Sequence, residues 1–206
     1  MEDVLEVYRR PYDPAFPVVC LDETNRQLIE ETRKAIPLGP GRPKRTDYEY
    51  RRKGVVNLFM MFEPLKARRH VKLTDQRTRK DWAECIRDLV NIYYPEAEKV
   101  VLVEDNLNTH TVGSLYEAFE PEEARRLAEN IEFHYTPKHG SWLNMAEIEI
   151  GVLSRQCLSQ YIPTKRLMCT EVTAWEQKRN QANATVDWQF TTGDARIKLK
   201  RLYPEL

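Results

Sequence analysis

The chain has 206 residues, of which 41% are apolar and 31% charged, with 32 Lys and Arg set against 32 Asp and Glu. That length holds one core-bearing domain or at most two small ones, and that composition excludes both a disordered tail and a bilayer-spanning helix. A net charge of zero excludes a wholly basic nucleic-acid coat protein, though not an enzyme with a local basic patch.

The first strong element is Val18-Val19-Cys20-Leu21, which follows Pro17, is apolar on both faces and ends in Asp22-Glu23. It reads as a short buried strand. Residues 24–35 are polar and carry no clear period, and the prolines and glycines of 37–45 exclude regular structure. Gly54–Phe62 and Lys66–Leu73 read as strands joined at Glu63-Pro64-Leu65. Trp82, Cys85, Ile86, Leu89 and Tyr93 recur at helical spacing behind a Thr78 cap, which predicts a helix from 78 to 94, ended by Pro95. Val100–Val103 is a second doubly apolar strand, ending near Asp105. Residues 112–129 predict one or two helices broken at Pro121, and Ile131–Tyr135 a fifth strand closed by Pro137. A long helix is expected over 143–161, another from Pro163 to about residue 180, and a last one behind the Thr191–Asp194 capping box. Early strands followed by alternating strands and helices suit an α/β fold, a mixed five-stranded sheet with helices on both faces.

Cys20, Cys85, Cys157 and Cys169 form no CxxC pair, and the first three sit in apolar patterns. Buried free thiols of a reducing cytosol are expected. The four histidines (70, 110, 134, 139) do not stand at finger spacing to these cysteines, so no zinc site is expected. The opening MEDVLEVYRRPYD has no basic segment leading into an apolar run, so no secretory signal is expected either.

Acids placed against apolar pattern are the informative feature. Val18, Cys20 and Asp22 share one face of their strand, as do Val101, Val103 and Asp105, so each strand delivers a carboxylate to its C-terminal end. On a helical wheel begun at Leu143, Glu147 falls at about 40°, within the apolar stripe that Leu143, Ile150, Cys157, Leu158 and Tyr161 mark, and Glu149 at its edge. An acid on a core-facing stripe must be paired, protonated or bound to a metal. Singly, each acid also reads as a turn former or as the partner of a buried arginine. Together, three carboxylates can hold two hard cations for phosphodiester chemistry.

LDE at 21–23, VLVEDNLNTH at 101–110 and TPKHGSWLNMAEIEIGVLSRQCL at 136–158 resemble the catalytic domain of mariner-type DDE transposases, with the bacterial insertion-sequence (IS six-thirty) branch the nearest in pattern. The resemblance runs over the whole chain and ends in DWQFTTGDARIKLKRLYP. It implies an RNase H-like fold, Asp22, Asp105 and Glu147 as the acidic triad, two Mg²⁺ or Mn²⁺ ions, and DNA strand cleavage followed by strand transfer. The 41 residues between Asp105 and Glu147 suit that branch. Asn106 and His110 match its DNxxxH pattern and, with Asn144, are candidates to support the triad from behind. Ser141 is expected to cap the third helix with Trp142 packed beneath it. Lys138 and His139 are candidate phosphate contacts.

Residues 33–53 hold eight cations, Arg42, Lys44, Arg45, Arg51, Arg52 and Lys53 among them, against two acids, a net +6 in a chain whose total is zero. Such a patch is the electrostatic footprint of a phosphate backbone, and Gly41-Arg42-Pro43-Lys44 resembles the core of an AT-hook; a solvated hairpin loop is the plainer reading. About 17 residues precede the first strand, too few for the helix-turn-helix units that read terminal repeats in complete family members. The whole chain therefore reads as one catalytic domain, 1–206, without that front domain. The expected partners are terminal inverted repeats and target DNA, a second copy of the chain and possibly a separate helix-turn-helix polypeptide, with no membrane, in a bacterial cytoplasm at the nucleoid. The competing reading is an inactive remnant that only binds DNA or protein.

Overall fold

The doubly apolar runs at 18–21 and 100–103 become neighbouring central strands in the computed structural model, which describes residues 1–32, 39, 41, 49–138 and 140–200. The elements in chain order are α1 (Glu2–Val7), β1 (Val18–Glu31), β2 (Tyr50–Glu63), a 3-10 turn at Pro64–Lys66 and β3 (Arg68–Thr74). Next come α2 (Arg79–Asp88), continued by a π turn at Leu89–Tyr93, then β4 (Val100–Glu104), α3 (Val112–Ala118), α4 (Pro121–Glu129) and β5 (Ile131–Tyr135). A 3-10 turn at Ser141–Leu143 leads into α5 (Met145–Gln156), followed by α6 (Lys165–Gln181) and α7 (Thr192–Lys198).

The strands form one sheet in the order β3-β2-β1-β4-β5. β1 with β2 and β2 with β3 are antiparallel, whereas β4 lies parallel to β1 and to β5. Both faces are covered, which is why the central strands show no polar alternation. Val18, Cys20, Met60, Val101 and Val103 pack with Leu143, Ala146, Leu153 and Met168 on the α5–α6 face. Val19, Leu21, Phe59, Met61 and Leu102 pack with Trp82, Ile86, Leu89, Leu115 and Leu127 on the α2–α4 face. Each such fully buried side chain contributes about 1.5–3 kcal/mol.

Several elements differ from expectation, β2 starting already at Tyr50 and β3 only at Arg68. β1 runs on to Glu31 because residues 23–31 pair with 50–59 of β2, and a ladder far from the core needs no apolar period. The register shifts between Gln27 and Ile29, setting Leu28 against two residues, Lys53 and Gly54, and the φ of +111° at Gly54 suits this bulge. α1 is too short to show a period, yet Val4, Leu5 and Val7 are buried. α6 starts at Lys165 behind a Thr164 cap rather than at Pro163. α5 is shorter at both ends than the predicted 143–161. Cys20, Cys85 and Cys157 are free and buried as expected. Among the described residues, no helix is long and apolar enough to cross a membrane.

Candidate active site

Parallel pairing of Val18, Val19 and Cys20 with Val101, Leu102 and Val103 sets the register of the two central strands. Continued by two residues, it brings Asp22 alongside Asp105, just beyond the end of β4. Neighbouring strands stand about 4.8 Å apart, so two carboxylates from distant parts of the chain meet at one sheet end.

Asn144 brings the third acid to them. Its side chain accepts from Ala146 N at 3.0 Å as the N-cap of α5, and its amide donates to Leu21 O at 2.7 Å, one residue before Asp22. Fully buried, it ties the first turn of α5 to β1. Glu147 lies in that turn, its N–H donating to Asn144 O at 3.1 Å. Asp22 feels the charges around it. Burial pushes the Asp22 carboxyl up from 3.8 to about 7; a hydrogen bond from Glu23 N–H opposes the rise, and the charges of Asp105, Glu23 and Glu147 reinforce it.

The helical-wheel assignment is corrected by the structure. Glu147 is exposed and Glu149 is the fully buried acid. Leu143, Leu158 and Tyr161 drew the stripe toward Glu147, but all three lie outside α5, Leu143 in the preceding 3-10 turn. Without them the buried face of the helix is Met145, Ala146, Glu149 and Leu153. Glu149 is an ion-pair partner: Oε1 accepts from Arg179 Nη2 at 2.6 Å, and Oε2 lies 3.3 Å from Nε of the buried Arg69. Ser141 does not cap a helix by its side chain, and Trp142 is half-exposed, packed edge-on to Phe190 at 5.2 Å.

Behind Asp105 lies a buried group that the motifs only partly reveal. His110, 1% exposed, places Nδ1 2.7 Å from Asp105 Oδ1 and Nε2 3.3 Å from Glu23 Oε2. Nδ1 also donates to Asp105 O at 3.1 Å. Glu104, fully buried, accepts from Trp82 Nε1 at 2.8 Å and lies 3.7 Å from His110 Nδ1. Burial alone would lower the imidazole pKa, but its contacts with Asp105 and Glu23 and the charge of Glu104 hold it up at about 10. Burial pushes Glu104 up to about 8, although His110 and the Trp82 N–H act against this. Glu23, Glu104 and Trp82 were missed at first reading. The signal was there: an acid adjoins each triad aspartate in the sequence, at 22–23 and 104–105.

The other candidates divide by place. Asn106 is exposed and, with Asp105, Thr136, Lys138 and Ser141, lines a cleft of about 390 Å³ beside the acids. It forms the cleft wall rather than standing behind the triad. A side chain at Gly140 would meet Pro137 Cγ at 2.6 Å, so that loop needs glycine. Arg51 and Arg52 are exposed on the β1–β2 arm, and Lys53 pairs with Glu30 at 2.8 Å. Arg42, Lys44, Arg45 and His139 lie outside the described residues.

The donor set fits a hard divalent cation. Asp22, Asp105 and Glu147 offer only carboxylate oxygens, Asp105 Oδ1 is buried without a well-aligned hydrogen-bond donor, and a cation would relieve the repulsion at Asp22. Among the described residues, the group whose ligand atoms lie within 4.8 Å of one another is Glu23, Asp105 and His110, which shares Asp105 with the triad.

Comparison with known proteins places the fold and the family. A Mos1 mariner paired end complex with Mn has a TM-score of 0.59 at 15% identity, with 87% of this chain and 54% of that chain covered. A Mos1 transposase paired-end complex with left transposon end has 0.59 at 14%, covering 88% and 56%. A pre-cleavage Mos1 transpososome has 0.55 at 14%, covering 90% and 60%. The chain therefore spans somewhat over half the length of these transposases, and at such identities the likeness is one of fold, the RNase H-like mixed sheet with helices on both faces. No curated protein matches the chain. A family model described as DDE superfamily endonuclease matches residues 17–169, three quarters of the sequence, with all three acids inside it, and the chain belongs to that family.

Proposed function

We propose that this chain is the catalytic domain of a DDE-type transposase of the bacterial insertion-sequence (IS six-thirty) branch, cleaving DNA strands and transferring them during transposition. The observation that carries the reading is geometric: the β1–β4 register brings Asp22 alongside Asp105, and Asn144 ties the turn that carries Glu147 to β1 one residue before Asp22. Asp22, Asp105 and Glu147 would hold two Mg²⁺ or Mn²⁺ ions, and Mos1 paired end complexes with Mn and with Mg are among the structures similar in fold. When bound, such ions supply Lewis acidity to phosphodiester chemistry.

The chain's own residues do the rest. Asn144 sets the first turn of α5 against β1 and so aims Glu147 at Asp22. His110 holds Asp105 from behind. Lys138, with Asn106 and Ser141 across the cleft, receives a backbone phosphate beside Asp105. Arg51 and Arg52 on the β1–β2 arm, with Arg42, Lys44, Arg45 and His139, supply sequence-independent phosphate contacts, whereas Lys53 is held by Glu30. The partners would be terminal inverted repeats and target DNA, a second copy of the chain in the assembled complex and a helix-turn-helix polypeptide, at the bacterial nucleoid.

The test is plasmid nicking in Mn²⁺ by the wild type beside Asp22→Ala, Asp105→Ala and Glu147→Ala, with and without a polypeptide carrying the helix-turn-helix units. Nicking by the wild type that all three variants lose supports the proposal. A wild type indistinguishable from the variants in both settings leaves a binding remnant instead.

A further inference from the structure

The β1–β4 ladder pairs Val18–Cys20 with Val101–Val103, so Asp22 and Asp105 both lie beyond its last paired residues. Backbone hydrogen bonds between these two strands therefore do not set the spacing of the two carboxylates. On the α5 side, Asn144 anchors Leu21 O. On the α2 side the link is a side-chain bridge. The imidazole of His110 has Nε2 3.3 Å from Glu23 Oε2 at the end of one strand and Nδ1 2.7 Å from Asp105 Oδ1 at the end of the other.

Resting on the triad reading above, we propose that Glu23 is a positioning residue which, through His110, sets the placing of Asp105 relative to Asp22 for cation binding. Three observations carry this. The ring is anchored at Nδ1, which donates to Asp105 O at 3.1 Å because a backbone carbonyl can only accept, and this turns Nε2 toward the buried Glu23 Oε2, which has no other partner among the described residues. The ring plane is fixed by Trp82, stacked at 5.8 Å and 20°, and Trp82 is itself fixed by its hydrogen bond to the buried Glu104. Glu23, whose side chain is 2% exposed, is adjacent to Asp22 in the chain, and on its outer side Arg77 lies 3.6 Å from Oε1. Arg77, Glu23, His110 and Asp105 thus stand in one line of contacts that ends at Asp105.

The same three groups could instead surround a cation, their ligand atoms lying within 4.8 Å of one another. That arrangement needs a ring nitrogen with a free lone pair, whereas both nitrogens here face acceptors. The geometry points to a bridge and not to a nitrogen ligand.

The experiment is Mn²⁺ binding to the full chain, by calorimetry and by electron spin-echo spectroscopy, for the wild type, Asp105→Asn, Glu23→Ala and Glu23→Gln. Groups that orient a metal ligand typically cost 10–100-fold in affinity when removed, so Glu23→Ala is expected to weaken Mn²⁺ binding by about that factor. Glu23→Gln, which keeps an oxygen acceptor for Nε2–H, should recover about half of the loss on a logarithmic scale. Asp105→Asn should abolish binding, and no nitrogen coupling to Mn²⁺ should appear. If Asp105→Asn binds like the wild type, the triad reading fails and this inference with it. If Asp105→Asn loses binding while Glu23→Ala stays within about threefold of the wild type, only the inference fails. Nitrogen coupling that disappears in His110→Ala makes His110 a ligand and overturns the bridge. Should Glu23→Ala fail to fold, Glu23→Asp takes its place, keeping the charge but withdrawing the acceptor by one methylene. A loss below about threefold there overturns the inference equally.

Discussion

At the scale of single residues, acids of the same type do opposite work according to what faces them. Asp22 is half-buried beside three other carboxylates, and its carboxyl is pushed from 3.8 to about 7, first by desolvation and then by the charges of Asp105, Glu23 and Glu147. A carboxyl raised in the fold holds its proton after the unfolded chain has lost it. Its contribution favours folding at low pH and is lost as pH rises from about 4 through about 7. Thermal melts without metal should therefore show a falling midpoint over that window, which Asp22→Asn should flatten. Added Mn²⁺ should raise the midpoint more at pH 8 than at pH 5, because the site must be deprotonated to bind it; an equal gain at both would count against a carboxylate site. Glu147 and Glu149, two residues apart, make the contrast sharper. Glu149 is closed between Arg69 and Arg179, and Glu149→Ala strands both guanidiniums, at a cost of about 3–5 kcal/mol by denaturant titration. Glu147 is exposed beside Asp22, so Glu147→Gln should leave the metal-free melting point unchanged or higher while removing the gain from Mn²⁺. A large metal-free loss in Glu147→Gln would reassign it to a structural role.

At the scale of elements, the site depends on where helices start. α2 begins with a full capping box, Thr78 and Asp81 satisfying each other's backbone N–H, and that start delivers Trp82 to Glu104. α5 begins at Asn144, whose two side-chain bonds serve different links, one closing the helix end and the other holding β1. Asn144→Ala removes both and should cost about 2–3 kcal/mol, the sum of a lost cap and a buried carbonyl left without its donor. Asn144→Ser keeps a cap acceptor but not the amide, so it should recover about half of that loss. Equal stabilities for the two variants would show that the Leu21 link alone matters. The motif around residue 144 was legible as sequence, but its mechanics were not. A wheel drawn from Leu143 put the wrong glutamate inside, since the chain enters α5 through a 3-10 turn whose phase a 100° step does not follow.

At the scale of the molecule, the sheet separates two tasks. Its centre, buried on both faces, fixes the strand ends that carry the acids. Its long antiparallel pair continues from Asp22 to Glu31, ten residues or about 30 Å of extended chain, and carries the basic segment away from the core. Arg51 and Arg52 are exposed on that arm, whereas Lys53 is already paired with Glu30. DNA binding by the chain should therefore be weak, indifferent to sequence and steeply salt-dependent. Replacing Arg51 and Arg52 together by Ala should lower the slope of log affinity against log salt by about two, and adding Arg42, Lys44 and Arg45 to the set should lower it further. For Lys53→Ala alone the change should be small. A salt slope that none of these replacements alters would place the phosphate contacts elsewhere.

The sequence by itself determined the elements of the core and pointed to Asp22, Asp105 and Glu147 as the acids of interest. Doubly apolar runs can only be central strands between helical layers, and the spacing around Asp22, Asp105 and Glu147 carried its own family likeness. It did not determine the polar half of β1, which exists because β2 pairs with it, or the choice of Glu149 as the buried helix acid, which follows from two arginines brought by β3 and α6. Nor did it determine the support of Asp105 by His110, Glu23, Glu104 and Trp82. Periodicity reports which side of an element meets apolar surface. Which polar group meets which is decided only when segments more than a hundred residues apart, such as those of Arg69 and Asn180 at a separation of 111, close on one another, and that is a property of the packed chain.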